Sequence, residues 1–257
     1  MTGANSWASE YFRQRNTVVE WWDPLSSADP AYRQWFVTQQ RDLLGVAPVK
    51  GKVVLDAGTG RGRMAIAAAL NGATRVVGVD ISADMLDRAR AAASQAAVTI
   101  ELQQGDLESL PVENGLVDVA YLLEILLHLP RPEEVLRELH RVLKPQGLLL
   151  VTTVGANPVA RLMQPDKSGA SPASRWTLAG ATAVNLVMSA LFGFTWGRTR
   201  TTAALYKRFF NAPVRPLPPS SVRRMLGAAG FDPVYHEAVG PMLAPREHRW
   251  LAVRSEL

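Results

Sequence analysis

The chain has 257 residues, 47% of them apolar and 20% charged, enough for one large α/β domain with a buried core or one domain with a lid. It contains no cysteine, which excludes disulfides, thiolate metal sites and cysteine nucleophiles together and leans towards a cytoplasmic setting. The formal charge of +5 is uneven: residues 1–154 carry 15 Lys/Arg against 18 Asp/Glu, and residues 155–257 carry 13 against 5.

Residues 1–50 read as helical, with aromatic positions at Trp7, Tyr11, Phe12, Trp21, Trp22, Tyr32, Trp35 and Phe36 and breaks at Pro24 and Pro30. The opening stretch MTGANSWASEYFRQRN lacks the basic-then-apolar pattern of a secretion signal, so secretion is not expected. Strands and helices then alternate. KVVLD (52–56) reads as a buried strand, and RMAIAAALNG (63–72) as a helix closed by Gly72. TRVVGVD (74–80) is a second strand, followed by a helix over 82–97 with Ser82 as its cap. VTIEL (98–102) and LVDVAYLLE (116–124) are the third and fourth strands. A helix over 132–144 and a fifth strand over 147–153 complete the regular part. Residues 155–217 break the alternation and read as an insertion. It resumes with a Ser-capped helix over 218–231 ending at Gly230, then two strands near 232–238 and 248–254, with VGPMLAPRE as a loop between them. The pattern predicts a doubly wound, mostly parallel seven-stranded Rossmann-like α/β sheet: a helical cap (1–50), a core (51–154), an insertion (155–217) and a closing helix with two strands (218–257).

VLDAGTGRGR (54–63) supplies the first chemical signal. A strand ending in a glycine-rich loop before a helix grips nucleotides, because backbone amides can approach the ligand closely there. The dinucleotide fingerprint needs G-x-G-x-x-G. Here the frame is Gly58-Thr59-Gly60-Arg61-Gly62-Arg63, so the third glycine is one place early and Arg63 stands where a small residue should pack. Asp80 ends the second strand, where a carboxylate accepts hydrogen bonds from a ribose diol. Asp106 follows the third strand, within reach of an adenine edge. Asp56, just before the first glycine, would repel a pyrophosphate and attract an amine. A ligand with ribose, adenine and a cationic amine but no phosphate satisfies all three acids, and S-adenosylmethionine is such a molecule.

The segments VLDAGTGRGR, VVGVDISADML and QQGDLESLPVENGLVDVAYLLEILLHLPRPEEVLRELHRVLKPQGLLLVTT occur in this order. In them the chain resembles the class I S-adenosylmethionine-dependent methyltransferases of the ubiquinone/menaquinone-biosynthesis-like (type 11) group, over about residues 50–154 and more loosely 218–257. The resemblance implies that Asp56, Ala57 and the loop Gly58, Thr59, Gly60 and Gly62 hold the methionine part. It implies that Asp80 holds the ribose, and that Gly105, Asp106 and Leu107 hold the adenine with Ile81 and Met85 packed beside it. Leu123 and Glu124 would line the cofactor or acceptor site. Met85 is equally well read as a core helix residue.

Methyl transfer to a hydroxyl or amine needs a base, and His128 in EILLHLPRP is the candidate, as the histidine nearest the carboxyl edge of the sheet. The family often carries an acid immediately before this histidine; here it is Leu127. That removes the support for a metal-assisted or acid-paired role, so no metal site is expected, and a histidine that only packs a turn is the competing reading. His140, His236 and His248 read as structural.

The insertion bears on the acceptor. Trp176–Gly197 is uncharged for 22 residues and bracketed by Arg175 and Arg198, and seven basic residues with no acid lie between Arg198 and Arg224. A single membrane crossing there would put the last two strands on the far side of the bilayer from the first five, cutting one sheet in two. The segment is therefore expected to be an apolar lid over a hydrophobic acceptor (quinone-like, polyketide-like or lipid), an element at an anionic membrane surface, or both; a buried helix is the plain alternative. The basic tail also suggests an RNA methyltransferase. No amide-proline-aromatic motif follows the fourth strand, where LLEI stands, and this weakens nucleic acid as a partner. A methyltransferase-like binding protein without turnover is a third reading, and a nicotinamide dehydrogenase a fourth; the intact acids oppose the one and the glycine spacing the other. The sequence leaves the oligomeric state open.

Overall fold

Val53–Ala57 forms β1, buried from Val54 onward and flanked by parallel partners on both sides, the setting in which a strand reads as a continuous apolar run. The computed structural model describes residues 30–129, 131–154, 217–239 and 247–255. Within them the elements are α1 (Pro30–Val46), β1, α2 (Arg63–Leu70), β2 (Arg75–Asp80), α3 (Ala83–Gln95), β3 (Glu101–Gln104), β4 (Val117–Leu123), a short 3₁₀ turn (Leu126–His128), α4 (Pro132–Val142), β5 (Leu143–Val154), α5 (Pro219–Ala228), β6 (Phe231–Val239) and β7 (Glu247–Arg254).

The sheet order is β3-β2-β1-β4-β5-β7-β6. Strands β1 to β5 are parallel, and β7 runs antiparallel to both β5 and β6. The order reverses between β1 and β4, so a crevice opens at their carboxyl ends, where open α/β sheets bind ligands. One face of the sheet packs Leu55, Val79, Leu122, Val151 and Trp250 against Leu136 and Leu139 of α4 and Leu226 of α5. The other packs Val54, Val119, Tyr121 and Leu150 against Leu43 of α1, Ala47 just after it and Met64 of α2. In α4, Val135, Leu136, Leu139 and Val142 form the buried stripe. Its first turn carries Glu133 and Glu134 and its last His140 and Arg141, so charge matches the helix dipole at both ends.

Local details depart from the sequence reading where tertiary pairing overrides it. The third strand lies at 101–104, not 98–102, because the chain after α3 spends extra residues in a turn: Val98 N–H donates to Ala93 O, and Ala97 is left-handed at φ 52°. Pairing with β2 then starts at Glu101 opposite Val77. Pro218, without a side-chain hydrogen bond, caps α5, and the serines fall inside its first turn. Helix α4 stops at Val142, and β5 begins at once at Leu143, with a register shift against β4 before Leu148 joins Val119. Glu247, placed by the sequence in a loop, is the first residue of β7. Residues 1–29 of the expected cap and 155–216 of the expected insertion lie outside the described residues.

Candidate active site

The end of β1 and the loop after it form the floor of the crevice. Asp56 is only 4% exposed. Its Oδ2 accepts hydrogen bonds from Thr59 Oγ1 at 2.8 Å and from the Ala65 amide at 3.1 Å. Burial pushes its carboxyl up to about 6, against the opposing pull of these hydrogen bonds and of the nearby Arg63 charge. A carboxyl poised in this range favours a cationic partner, which would return it to the ionised form.

The glycines divide their duties. A Cβ on Gly58 would lie 2.6 Å from Ile125 Cγ1, so the loop closes tightly against the segment after β4, and the φ of +76° excludes other residues independently. Gly62 meets Ala89 Cβ at 3.0 Å in the same construction, which seats α3 close to the loop. Gly60 differs: it is left-handed at φ +53°, yet a Cβ there would meet nothing within 4 Å. The space above it is open, and its amide donates to Asp80 Oδ2 at 2.8 Å.

Asp80 thereby ties the glycine loop to the end of β2. Its Oδ1 accepts from the Ser82 amide at 2.9 Å. Each carboxylate oxygen carries a second lone pair, so two backbone bonds leave acceptor capacity for a diol. Burial raises the Asp80 carboxyl, and the amides of Ser82 and Gly60 oppose the rise. Ile81 and Met85 are half-buried alongside, and Ser82 caps α3 by accepting from the Met85 amide at 3.4 Å.

The next wall follows β3. The Gly105 amide donates to Asp80 O, and Asp106 closes a tight turn by accepting from Glu108 N–H at 3.0 Å on Oδ1 and from Ser109 N–H on its carbonyl. Leu107 turns its side chain into the core at 8% exposure, so any share it has in the site belongs to its backbone. Arg141 of α4 holds this loop from behind, donating to Leu110 O at 3.0 Å and Val112 O at 2.9 Å, while Glu138 accepts from the Leu110 amide at 2.8 Å.

On the far side of the switch point, Leu123 ends β4 half-buried and Glu124 follows in the left-handed region at φ 58°. That is a strained conformation for a glutamate, and such strain collects at functional sites. Two bonds hold it: the Glu124 amide donates to Thr152 O at 3.0 Å and to Thr152 Oγ1 at 3.1 Å. His128 closes the 3₁₀ turn, half-buried, its amide donating to Ile125 O. The structure thus brings Asp56, the glycine loop, Asp80 and the Asp106 turn to one side of the crevice, and Leu123, Glu124 and His128 to the other. The remaining histidines lie elsewhere: His140 packs edge-on to Phe231, and His236 stacks on Trp250 and bonds His248 at 3.1 Å.

Several residues at this edge escape sequence reasoning. Thr152 is one, and its only signal was a pair of threonines ending an aliphatic strand. Gln39 and Gln40 of α1 are two more. Gln40 Nε2 donates to Arg63 O at 2.8 Å, and Gln39 Nε2 donates to Glu247 Oε2 at 2.6 Å, so α1 bridges the glycine-loop helix and β7. Glu247 and Arg249 stand at strand spacing on one face of β7, but nothing in the sequence pairs them with a helix about 200 residues earlier.

Residues 55–151 match the methyltransferase domain family. The chain is 32% identical over 179 residues to a ubiquinone biosynthesis O-methyltransferase of Roseobacter denitrificans, covering 65% of this chain and 71% of the relative. Proteins of the same name from Coxiella burnetii and Pseudomonas syringae are 33% and 36% identical over 54% and 55% of this chain, which spans 58% and 61% of their lengths. The fold is similar to that of a Pyrococcus horikoshii protein (TM-score 0.62, 22% identity, 89% of this chain and 93% of that one). It is also similar to that of the magnesium protoporphyrin IX methyltransferase of Synechocystis with bound S-adenosylhomocysteine (TM-score 0.57, 18% identity, 89% of each chain). By these likenesses the chain belongs to the class I S-adenosylmethionine-dependent methyltransferases, in the ubiquinone/menaquinone-biosynthesis-like group, and S-adenosylmethionine is its cofactor.

Proposed function

We propose that this enzyme methylates a hydroxyl of a hydrophobic, quinone-like phenolic acceptor. The observation that carries the reading is the likeness to ubiquinone biosynthesis O-methyltransferases across 71% of one such protein. The uncharged stretch 176–197 supports it, since an apolar acceptor needs an apolar cover. When bound, S-adenosylmethionine supplies a sulfonium-activated methyl group that passes in line to the acceptor oxygen. In this reading Asp56 and the loop Gly58–Gly62 hold the methionine end, with Asp56 against its amine. Asp80 accepts from the ribose hydroxyls, and the Gly105–Leu107 turn meets the adenine, flanked by Ile81 and Met85. Leu123 and Glu124 border the reacting end. His128 removes the proton of the attacking hydroxyl, so that the oxygen reaches the methyl as an oxyanion.

The test is mass-spectrometric detection of methyl transfer from labelled S-adenosylmethionine to phenols and catechols with apolar tails. His128→Ala should leave S-adenosylhomocysteine affinity intact and lower kcat roughly 10²-fold or more. Retained cofactor binding without transfer to any such acceptor would overturn the acceptor assignment, and full turnover in His128→Ala would make that histidine a packing residue. The reading extends to residues 155–217 as a lid over the acceptor, with the basic run Arg198–Arg224 directed at an anionic membrane surface. Salt-reversible sedimentation with anionic vesicles supports the surface role, and indifference to them at low salt removes it.

A further inference from the structure

The segment after β4 is packed directly onto the glycine loop. A Cβ built on Gly58 would lie 2.6 Å from Ile125 Cγ1 and 2.7 Å from its Cδ1, so the Ile125 side chain fills the space that a larger residue at 58 would need. Ile125 is half-buried against the core cluster of the α4 face. Its carbonyl accepts from the His128 amide at 2.8 Å, which closes the 3₁₀ turn. Leu126 and Leu127 plug that turn into the interior. The turn leaves β4 through Glu124, whose left-handed φ of 58° is held by the two bonds to Thr152. A segment closed by its own hydrogen bond and close-packed on both sides transmits a displacement where a loose one would absorb it.

The glycine loop is in turn tied to the two acids of the crevice. Thr59, next to Gly58, donates to Asp56 Oδ2 at 2.8 Å, and the Gly60 amide donates to Asp80 Oδ2 at 2.8 Å. In the reading above, the cofactor brings an amine to Asp56 and ribose hydroxyls to Asp80. The amine draws on the carboxylate that holds Thr59, and the ribose on the carboxylate that holds Gly60. The seat of the loop therefore depends on whether the cofactor is bound, and Gly58 presents that dependence to Ile125.

We infer that Ile125 is a positioning residue that transmits the seating of the cofactor on the glycine loop to His128. The inference rests on the cofactor contacts and the His128 base proposed above, and it adds an order to them: the base takes up its working place when the cofactor binds, ahead of the acceptor. Ile125 touches the loop through its side chain and His128 through its carbonyl, so it acts through other groups and not on the reacting atoms.

The chain has four histidines, so each ring can be followed by NMR of the full chain labelled on histidine, with His128→Gln assigning the His128 signals. In the wild type these signals should shift when S-adenosylhomocysteine saturates the site, and those of His140 should stay. Ile125→Ala should bind S-adenosylhomocysteine with little change in affinity by calorimetry and lose most of the His128 shift. Its ligand-free His128 signals should match those of the wild type. Ile125→Val, which keeps the branch at Cβ and loses only Cδ1, should give an intermediate shift. A full shift in Ile125→Ala means that the ligand acts on His128 directly and overturns the inference. So does a wild type whose His128 signals ignore the saturating ligand. Ile125→Ala signals already displaced before ligand is added mark Ile125 as a brace of the turn, and that too overturns it. If Ile125→Ala does not bind S-adenosylhomocysteine, Ile125→Val decides alone, and a shift equal to that of the wild type is the refuting result. Turnover is read separately: full activity in His128→Ala refutes the proposed base, while the NMR comparison still decides Ile125.

Discussion

Moving the pH from about 5 to about 7 should strengthen S-adenosylhomocysteine binding about tenfold through Asp56 alone. Its carboxyl titrates at about 6, and an amine partner needs it ionised. The ionised fraction is roughly one in eleven at a pH of about 5 and roughly ten in eleven at about 7, which sets the ratio. The same shift acts oppositely on the empty protein. Burial raises the folded-state value from 3.8 to about 6, so the unfolded chain gives up this proton first as the pH rises. The fold is then destabilised progressively between about 4 and 6, by about 3 kcal/mol once both states are ionised. Asp56→Asn keeps an oxygen for Thr59 and Ala65 and removes the charge. It should flatten most of the pH dependence of binding and raise the stability of the empty protein at neutral pH, at the expense of affinity. Calorimetric titrations with S-adenosylhomocysteine across this pH range, paired with urea unfolding, read both effects. Any slope left in Asp56→Asn reports Asp80, whose carboxyl is also raised by burial. An Asp56→Asn protein with the wild-type slope and affinity would refute the placement of the amine at Asp56.

Asp80→Ala removes the ribose partner and also the carboxylate that holds the Gly60 amide; affinity for S-adenosylhomocysteine should fall by about 3 kcal/mol or more by calorimetry. Gly58→Ala and Gly60→Ala should separate fold from site. At Gly58 the new methyl strikes Ile125 on a left-handed backbone, and urea unfolding should show a loss of more than about 2 kcal/mol. At Gly60 the methyl enters open space, so stability should fall by only about 1 kcal/mol while cofactor affinity drops further. Tyr121→Phe deletes the buried hydrogen bond to Ala47 O, which anchors α1 to β4, and should cost about 1 kcal/mol in the same unfolding assay.

The amino-acid sequence by itself determined the βα alternation, the glycine loop and the acids that end β1 and β2. Each is written locally: an apolar run flanked by turn residues is a buried strand, and a carboxylate at its end has no apolar role to play. The cap signal at α3 is equally local, which is why Ser82 was legible. Tertiary structure alone decided where β3 begins, because its register is set by β2 across the sheet and not by its own weak pattern of exposed and half-buried residues. It alone put Glu124 in a left-handed turn, since the two bonds that hold it there come from Thr152, 28 residues away. It alone joined Gln39 to Glu247 across 208 residues. A polar side chain in a helix looks solvated until other parts of the chain close over it, and Gln39, buried with its Oε1 unpartnered, is such a residue.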